Sequence, residues 1–197
     1  MKKLMVMAAG LLVAGVASAD AINGPYVGAG LALNKVALEV SEAGYSGNFG
    51  DKDHDAGLNL SVGYGASFGQ GYLAGELSYQ NSYGKSDFLS DGTDTLSGKV
   101  KNGWAISILP GYKLSKDTLG FVRLGYVEAK GELAFAGESE SHNFSGTVYG
   151  IGVKHAFTPN VAAVLEYQSV VFSGKTIDGT NFKPTSNGVM FGIQAGF

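Results

Sequence analysis

The sequence predicts an all-β fold, an eight-stranded antiparallel up-and-down transmembrane β-barrel, and three observations carry that prediction. Apolar residues alternate at period two with small or polar ones along eight segments. Short turns and long polar stretches take turns in joining those segments. The chain opens on an export signal, after which no run approaches the ~18 apolar residues of a spanning helix. A protein that crosses a membrane without such helices must close its strands into a barrel.

The signal is read over residues 1–19. Lys2 and Lys3 supply the positive start, residues 4–16 the apolar centre, and Ala17-Ser18-Ala19 the small-residue cleavage site. The apolar run is too short for a transmembrane helix. Residues 20–197 are expected to form one barrel domain. Losing Lys2 and Lys3 from 14 basic residues leaves 12 against 17 acidic ones, a mature charge of −5. There is no cysteine, hence no disulfide frame. Glycine is in excess, 31 of 197 residues against the usual ~7%, and without a repeat its role must be positional.

The first strand is expected near residues 25–33, with Val27, Ala29, Leu31 and Leu33 apolar and Gly28, Gly30 and Ala32 small. Residues 57–68 alternate most cleanly, setting Leu58, Leu60, Val62, Tyr64, Ala66 and Phe68 against glycine, serine and asparagine. The third, residues 71–83, places Leu73, Leu77, Tyr79 and Tyr83 opposite Glu76, Ser78, Gln80 and Ser82. In the fourth, residues 101–114, Trp104, Ile106, Ile108, Tyr112 and Leu114 share a face, and Pro110 suggests a bulge. The fifth (119–130) opposes Val122, Leu124 and Tyr126 to Arg123 and Gly125. The sixth (143–157) opposes Tyr149, Ile151, Val153 and Phe157 to Gly150, Gly152, Lys154 and Ala156. The seventh (160–172) sets Val161, Ala163, Leu165 and Tyr167 against Glu166 and Gln168. The eighth ends the chain as VMFGIQAGF, with Val189, Phe191, Ile193, Ala195 and Phe197 on one face.

Tight turns are expected at 69–70, 115–118 and 158–159, and long polar loops near 34–56, 84–98, 131–142 and 173–187. Three short turns and four long loops suit an eight-stranded outer-membrane barrel with both termini on the periplasmic side. A soluble eight-stranded barrel has no reason to sort loops by length.

The outward face carries aromatics in two rows. Phe68, Tyr112, Phe157 and Phe197 lie beside the short turns or the terminus, and Tyr79, Trp104, Tyr126, Tyr149 and Tyr167 lie further along their strands. An offset of about eight residues, at ~3.3 Å each and ~40° of tilt, climbs roughly 20 Å, close to the ~25 Å apolar band between lipid-interface girdles. No charge falls on that face within the band, where one would cost ~2–4 kcal/mol. The mature −5 sits in the long loops and their borders.

Several stretches resemble one family in order and spacing: GPYVGAGLAL, LAGELSYQ, GYKL, FVRLGY, YGIGVKHAFTPN, VLEYQ and the closing VMFGIQAGF. The chain is similar to the small outer-membrane β-barrel family of opacity (Opa)-like surface proteins and OmpA-type eight-stranded barrels, over essentially all of 20–197. That resemblance implies a Gram-negative outer membrane and insertion by the barrel assembly machinery, which reads an aromatic C-terminal strand; here Phe191, Ile193 and Phe197 match, while Ala195 stands where an aromatic is more usual. Membership covers adhesins, structural barrels and porin-like proteins.

The inward charges are Glu76, Lys113, Arg123, Lys154 and Glu166, all near the short turns. Eight strands leave an interior that side chains just fill. Two carboxylates facing three cations are therefore expected to pair and plug the lumen, with Gly63 opposite Glu76 and Gly152 opposite Glu166 making room. No catalytic residue and no cofactor are expected. Asp51, Asp53 and Asp55, around His54, resemble the start of a calcium loop, but Ala56 replaces the needed glycine and Val62 the closing glutamate, so a solvated loop is the first reading and weak cation binding the second. His142 is reminiscent of lipid A deacylase sites without their spacing, and His155 faces outward without an evident partner. The acidic loops suit a surface exposed to lipopolysaccharide, cations or host ligands; no nucleic-acid partner is expected. The function read from sequence is a structural or adhesin-like surface barrel with a plugged lumen, or else a narrow porin-like channel.

Overall fold

The computed structural model describes residues 20–42, 45–50, 55–90, 95–135, 138–177 and 180–197. The expected signal at 1–19, Asp51, Asp53 and His54 lie outside these residues, as does the side chain of His142. Among the described residues, eleven strands form: β1 (Gly24–Glu42), β2 (Tyr45–Gly50), β3 (Asp55–Phe68), β4 (Gly71–Gln80), β5 (Gly84–Ser90), β6 (Thr95–Lys113), β7 (Thr118–Phe135), β8 (Glu138–Thr158), β9 (Val161–Phe172), β10 (Lys175–Ile177) and β11 (Thr180–Gly196). Eight of them close a ring in the order β1-β3-β4-β6-β7-β8-β9-β11, every neighbour antiparallel, with β11 pairing back onto β1. The remaining β2, β5 and β10 are arms that pair with β1, β6 and β11 beyond the ring. The predicted eight-stranded up-and-down barrel is the fold observed.

Strand extents differ from the sequence reading. The four segments taken as long loops are largely ladder: β1 runs to Glu42, β7 to Phe135, and β8 starts at Glu138. These segments are richer in polar residues and glycine, and antiparallel hydrogen bonding needs no apolar face to continue. All four extensions lie at one end, the loop end; the three tight turns and both termini of the barrel lie at the other.

The register fixes the tilt. Followed from partner to partner around the ring, Val27 leads through Val62, Leu77, Ile106, Tyr126, Thr147, Val171 and Thr185 back to β1 at Ala37, ten residues further along. Ten residues rise ~33 Å along a strand while eight strands span ~38 Å across, a tilt of ~40°. That tilt levels the aromatics. Tyr126 pairs with Ile106, two places nearer the turns than Trp104; Tyr149 pairs with Leu124, and Tyr167 with Ile151, each two places lower again. A row level with the barrel axis must step down its strands in this direction.

The faces sort as alternation required. Leu31, Leu58, Val62, Leu77, Ile106, Ile108, Leu124, Ile151, Leu165, Phe191 and Ile193 are exposed on the outside, with Phe68, Tyr79, Trp104, Tyr112, Tyr126, Tyr149, Phe157 and Tyr167. Phe197 is half-buried at the closing seam, where its N–H donates to Pro25 O at 3.0 Å. Among the described residues, no charged side chain faces outward between the two aromatic rows.

Two expectations fail locally. Pro110 makes no bulge: the β6–β7 pairs lapse at Leu109 and Pro110 and resume at Gly111 in the same register, because a proline without an N–H only omits a hydrogen bond. Tyr83 is buried at 4% exposure instead of facing out with Tyr79. From Gln80 to Gly84 the chain takes one residue more than β6 takes from Gly103 to Val100, and a one-residue slip transfers a side chain to the opposite face. The first strand was expected from residue 25, with no role read for the residues before it. Residues 20–23 fold under the turn end, with Ala21 N–H donating to Pro159 O at 2.6 Å and Ile22 buried in the lumen.

Candidate functional site

The lumen is built in layers, because inward positions on eight tilted strands recur at similar heights. Nearest the turns, Tyr26 (β1), Tyr72 (β4), Leu119 and Phe121 (β7) and Val164 (β9) pack with Ile22 in one apolar cluster. Glycines admit the rings. A Cβ at Gly63 would strike the Tyr26 ring, one at Gly65 the Tyr72 ring, and one at Gly152 the Phe121 ring. Gly63 does face Glu76 and Gly152 does face Glu166 in register, as expected. The room they leave is taken chiefly by aromatic rings from the neighbouring strands.

Above this lies the charged layer. The Arg123 guanidinium on β7 bridges two carboxylates: Nη2 is 2.8 Å from Glu76 Oε1 on β4, and Nε and Nη2 donate to Glu166 Oε1 and Oε2 on β9 at 2.6 and 3.0 Å. Exposure of Glu76, Arg123 and Glu166 is at most 4%. Tyr26 OH donates to Glu76 Oε2 at 2.9 Å, and Gln194 Nε2 reaches the same oxygen at 3.5 Å. A bidentate guanidinium fork with further hydrogen bonds is the geometry in which a buried ion pair holds.

Two of the five predicted charges stand apart. Lys154 is buried at 1% exposure, but its Nζ has no hydrogen-bond partner and lies over the Tyr26 ring, 4.4 Å from the centroid, with Tyr72 at 5.6 Å. The expected carboxylate pairing is replaced by cation–π contact, because the ten-residue stagger puts Lys154 in the aromatic layer below the carboxylates. Lys113 is half-exposed at the turn end and reaches no lumen carboxylate. Its charge acts on Asp20 instead. Burial pushes the Asp20 carboxyl up, but hydrogen bonds from Asn23 and the Ile22 and Asn23 N–H groups, with Lys113 nearby, hold it below the usual carboxylate range.

Toward the loop end an amide layer follows, in which Gln168 Nε2 donates to Gln80 Oε1 at 3.1 Å. Beside it, an enclosed cavity of about 10 Å³ is lined by Asn59, Gln80, Arg123, Val148 and Gln168, room for about one water. A second apolar cluster closes the top, with Tyr83, Val127, Phe144, Val148 and Phe172. The Tyr83–Phe172 and Phe144–Phe172 rings meet edge to face at 6.1 and 6.5 Å.

Of the other candidates, the side chains of Asp55 and His155 are among those described. Asp55 accepts a hydrogen bond from Ser82 Oγ at 2.6 Å, so its carboxylate belongs to the lumen wall. Among the described residues, no group of three His, Asp or Glu could hold a metal ion. His155 does have partners: Nδ1 lies 2.9 Å from Thr118 Oγ1, and its ring meets Phe157 edge to face at 5.8 Å. Phe191 and Ile193 face outward on the closing strand.

A closed ring with an apolar exterior and buried charged and amide layers between its inner apolar clusters departs from soluble-protein sorting. The family profile described as "Outer membrane protein beta-barrel domain" matches residues 5–194. The chain belongs to that family. Solved structures that resemble it include the following three. Neisserial surface protein A (NspA) is 16% identical, with 89% of this chain and 98% of that chain covered and a TM-score of 0.53. The outer membrane protease OmpT from Escherichia coli is 10% identical, covering 88% and 97%, at 0.50. Ail, the attachment invasion locus protein of Yersinia pestis, is 17% identical, covering 87% and 99%, at 0.43. Identities this low speak to fold. No curated protein matches the sequence.

Proposed function

We propose that the protein is a surface barrel of the Gram-negative outer membrane whose lumen is plugged and whose work is done at the loop end. The bridging of Glu76 and Glu166 by Arg123 carries this reading, because a passing ion would have to break a bidentate pair buried between two packed clusters. The aromatic rows are its lipid-interface girdles. Phe191, Ile193 and Phe197 are the strand that the barrel assembly machinery reads. The five acids and two lysines of residues 34–56, with the four acids and one lysine of 128–142, face lipopolysaccharide or a host or environmental ligand. No catalytic role is assigned to any residue.

The test is single-channel conductance of the refolded mature chain, after heat-modifiable gel mobility has established folding. Silence is the expected outcome, and steady discrete openings would overturn the plug. The cavity beside Arg123 favours the second reading, a narrow channel. On that reading, Glu76→Gln or Arg123→Gln changes conductance; a bilayer that stays silent with both variants removes it.

A further inference from the structure

We infer that residues 81–83 are a strap that closes the loop end of the lumen, separately from the Arg123 layer below. This rests on the plugged-lumen reading and adds a second closure to it.

The strap is held by groups that converge on its backbone. The Ser82 carbonyl accepts from Asn34 Nδ2 on β1 at 3.1 Å and from Gln80 Nε2 on β4 at 2.8 Å. The Tyr83 carbonyl accepts from Ser186 Oγ on β11 at 2.6 Å, and Ser82 Oγ donates to Asp55 on β3. Asn81 exchanges two bonds with the Leu58 backbone, at 3.1 and 2.7 Å. Donors from β1 and β11, one and two places beyond β3 around the ring, cannot serve an ordinary strand end; they serve a segment that leans into the lumen. Gly57 shows how closely it leans, since a Cβ there would strike the Ser82 carbonyl. The slip that turns Tyr83 inward then seats its ring on Phe172.

The strap is also the weaker closure. It is held mostly by neutral hydrogen bonds, each worth ~1 kcal/mol net, with one to the Asp55 carboxylate, whereas the layer below is a buried bidentate ion pair. Local opening draws on the least stable contacts first. The strap therefore opens while the Arg123 layer stays shut. The space exposed lies above Arg123, between Gln80, Gln168 and Val148.

Because the chain has no cysteine, Val148→Cys places a single thiol just below the strap. The refolded full chain in liposomes is treated with a small cationic methanethiosulfonate. Labelling is expected to be slow with the strap intact and about tenfold faster with Ser186→Ala, which removes one hydrogen bond. Gly57→Val, which pushes on the strap without altering it, should do the same. Glu76→Gln should leave labelling unchanged, and the strap variants should remain electrically silent. Fast labelling with an intact strap, or an unchanged rate in a folded Ser186→Ala variant, overturns the strap. Conductance from the unaltered chain would instead overturn the plug, so the two failures are distinguishable. Ser186→Ala changes one hydroxyl and keeps the test open if Gly57→Val does not fold.

Discussion

Arg123 carries one positive charge between two carboxylates, so its trio is net negative, and the balancing charge is that of Lys154 one layer below. The lysine thus contributes to neutrality without touching a carboxylate, its ammonium resting on two tyrosine rings. This division of labour was hidden from the sequence. Which inward residues exist was legible from alternation, but which of them meet depends on the ten-residue stagger, a property of the closed ring. A prediction belongs at this scale. Arg123→Leu leaves Glu76 and Glu166 facing each other without a cation, and removal of one partner of a buried pair costs ~3–5 kcal/mol. Arg123→Lys should lose less, since charge is retained and only the fork is lost. Urea midpoints of the refolded barrel in liposomes measure both. Equal midpoints for Arg123→Leu and the unaltered chain would show that the pair contributes nothing to stability.

Among the strands, the membrane-crossing parts were readable because each has two different environments, lipid-facing and lumen-facing, and the residue types follow them at period two. The arms β2, β5 and β10 were not, because YSGNFG, GKSDFLS and KTI are short and rich in glycine and polar residues. Tyr83 was misplaced for another reason. Its face depends on one extra residue counted against β6, and no local pattern records a count made on a neighbouring strand. Inward glycines belong to this scale too. On β3, Gly63 and Gly65 are the hollows into which Tyr26 and Tyr72 lean from the strands on either side. Gly63→Val should displace the Tyr26 ring, weaken its bond to Glu76 and cost ~1–3 kcal/mol as overpacking. Tyr26→Ala in the same chain should recover part of that loss, which urea titration of the double variant measures. Strictly additive losses would mean that the hollow is not there for the ring.

At the scale of the whole molecule, the apolar exterior has an energetic consequence that a soluble barrel would not share. On β6, Trp104 and Tyr112 mark the two aromatic rows, and Ile108 lies midway between them, exposed on the outer face. Leu114, just past the end of the same strand at the turn, is equally exposed. In water the two positions are equivalent, and an arginine at either would cost little. In a bilayer they differ by depth. Ile108→Arg should cost ~2–4 kcal/mol, whereas Leu114→Arg, with its guanidinium at the headgroups, should cost ~0–1 kcal/mol. Reversible unfolding in liposomes and, for contrast, in detergent micelles provides the comparison. A difference of two kcal/mol or more in liposomes would set the height of the apolar band by experiment. Equal costs at the two sites would mean that the rows at Trp104 and Tyr112 do not bracket a hydrocarbon layer, and the girdle assignment on the other strands would fall with them.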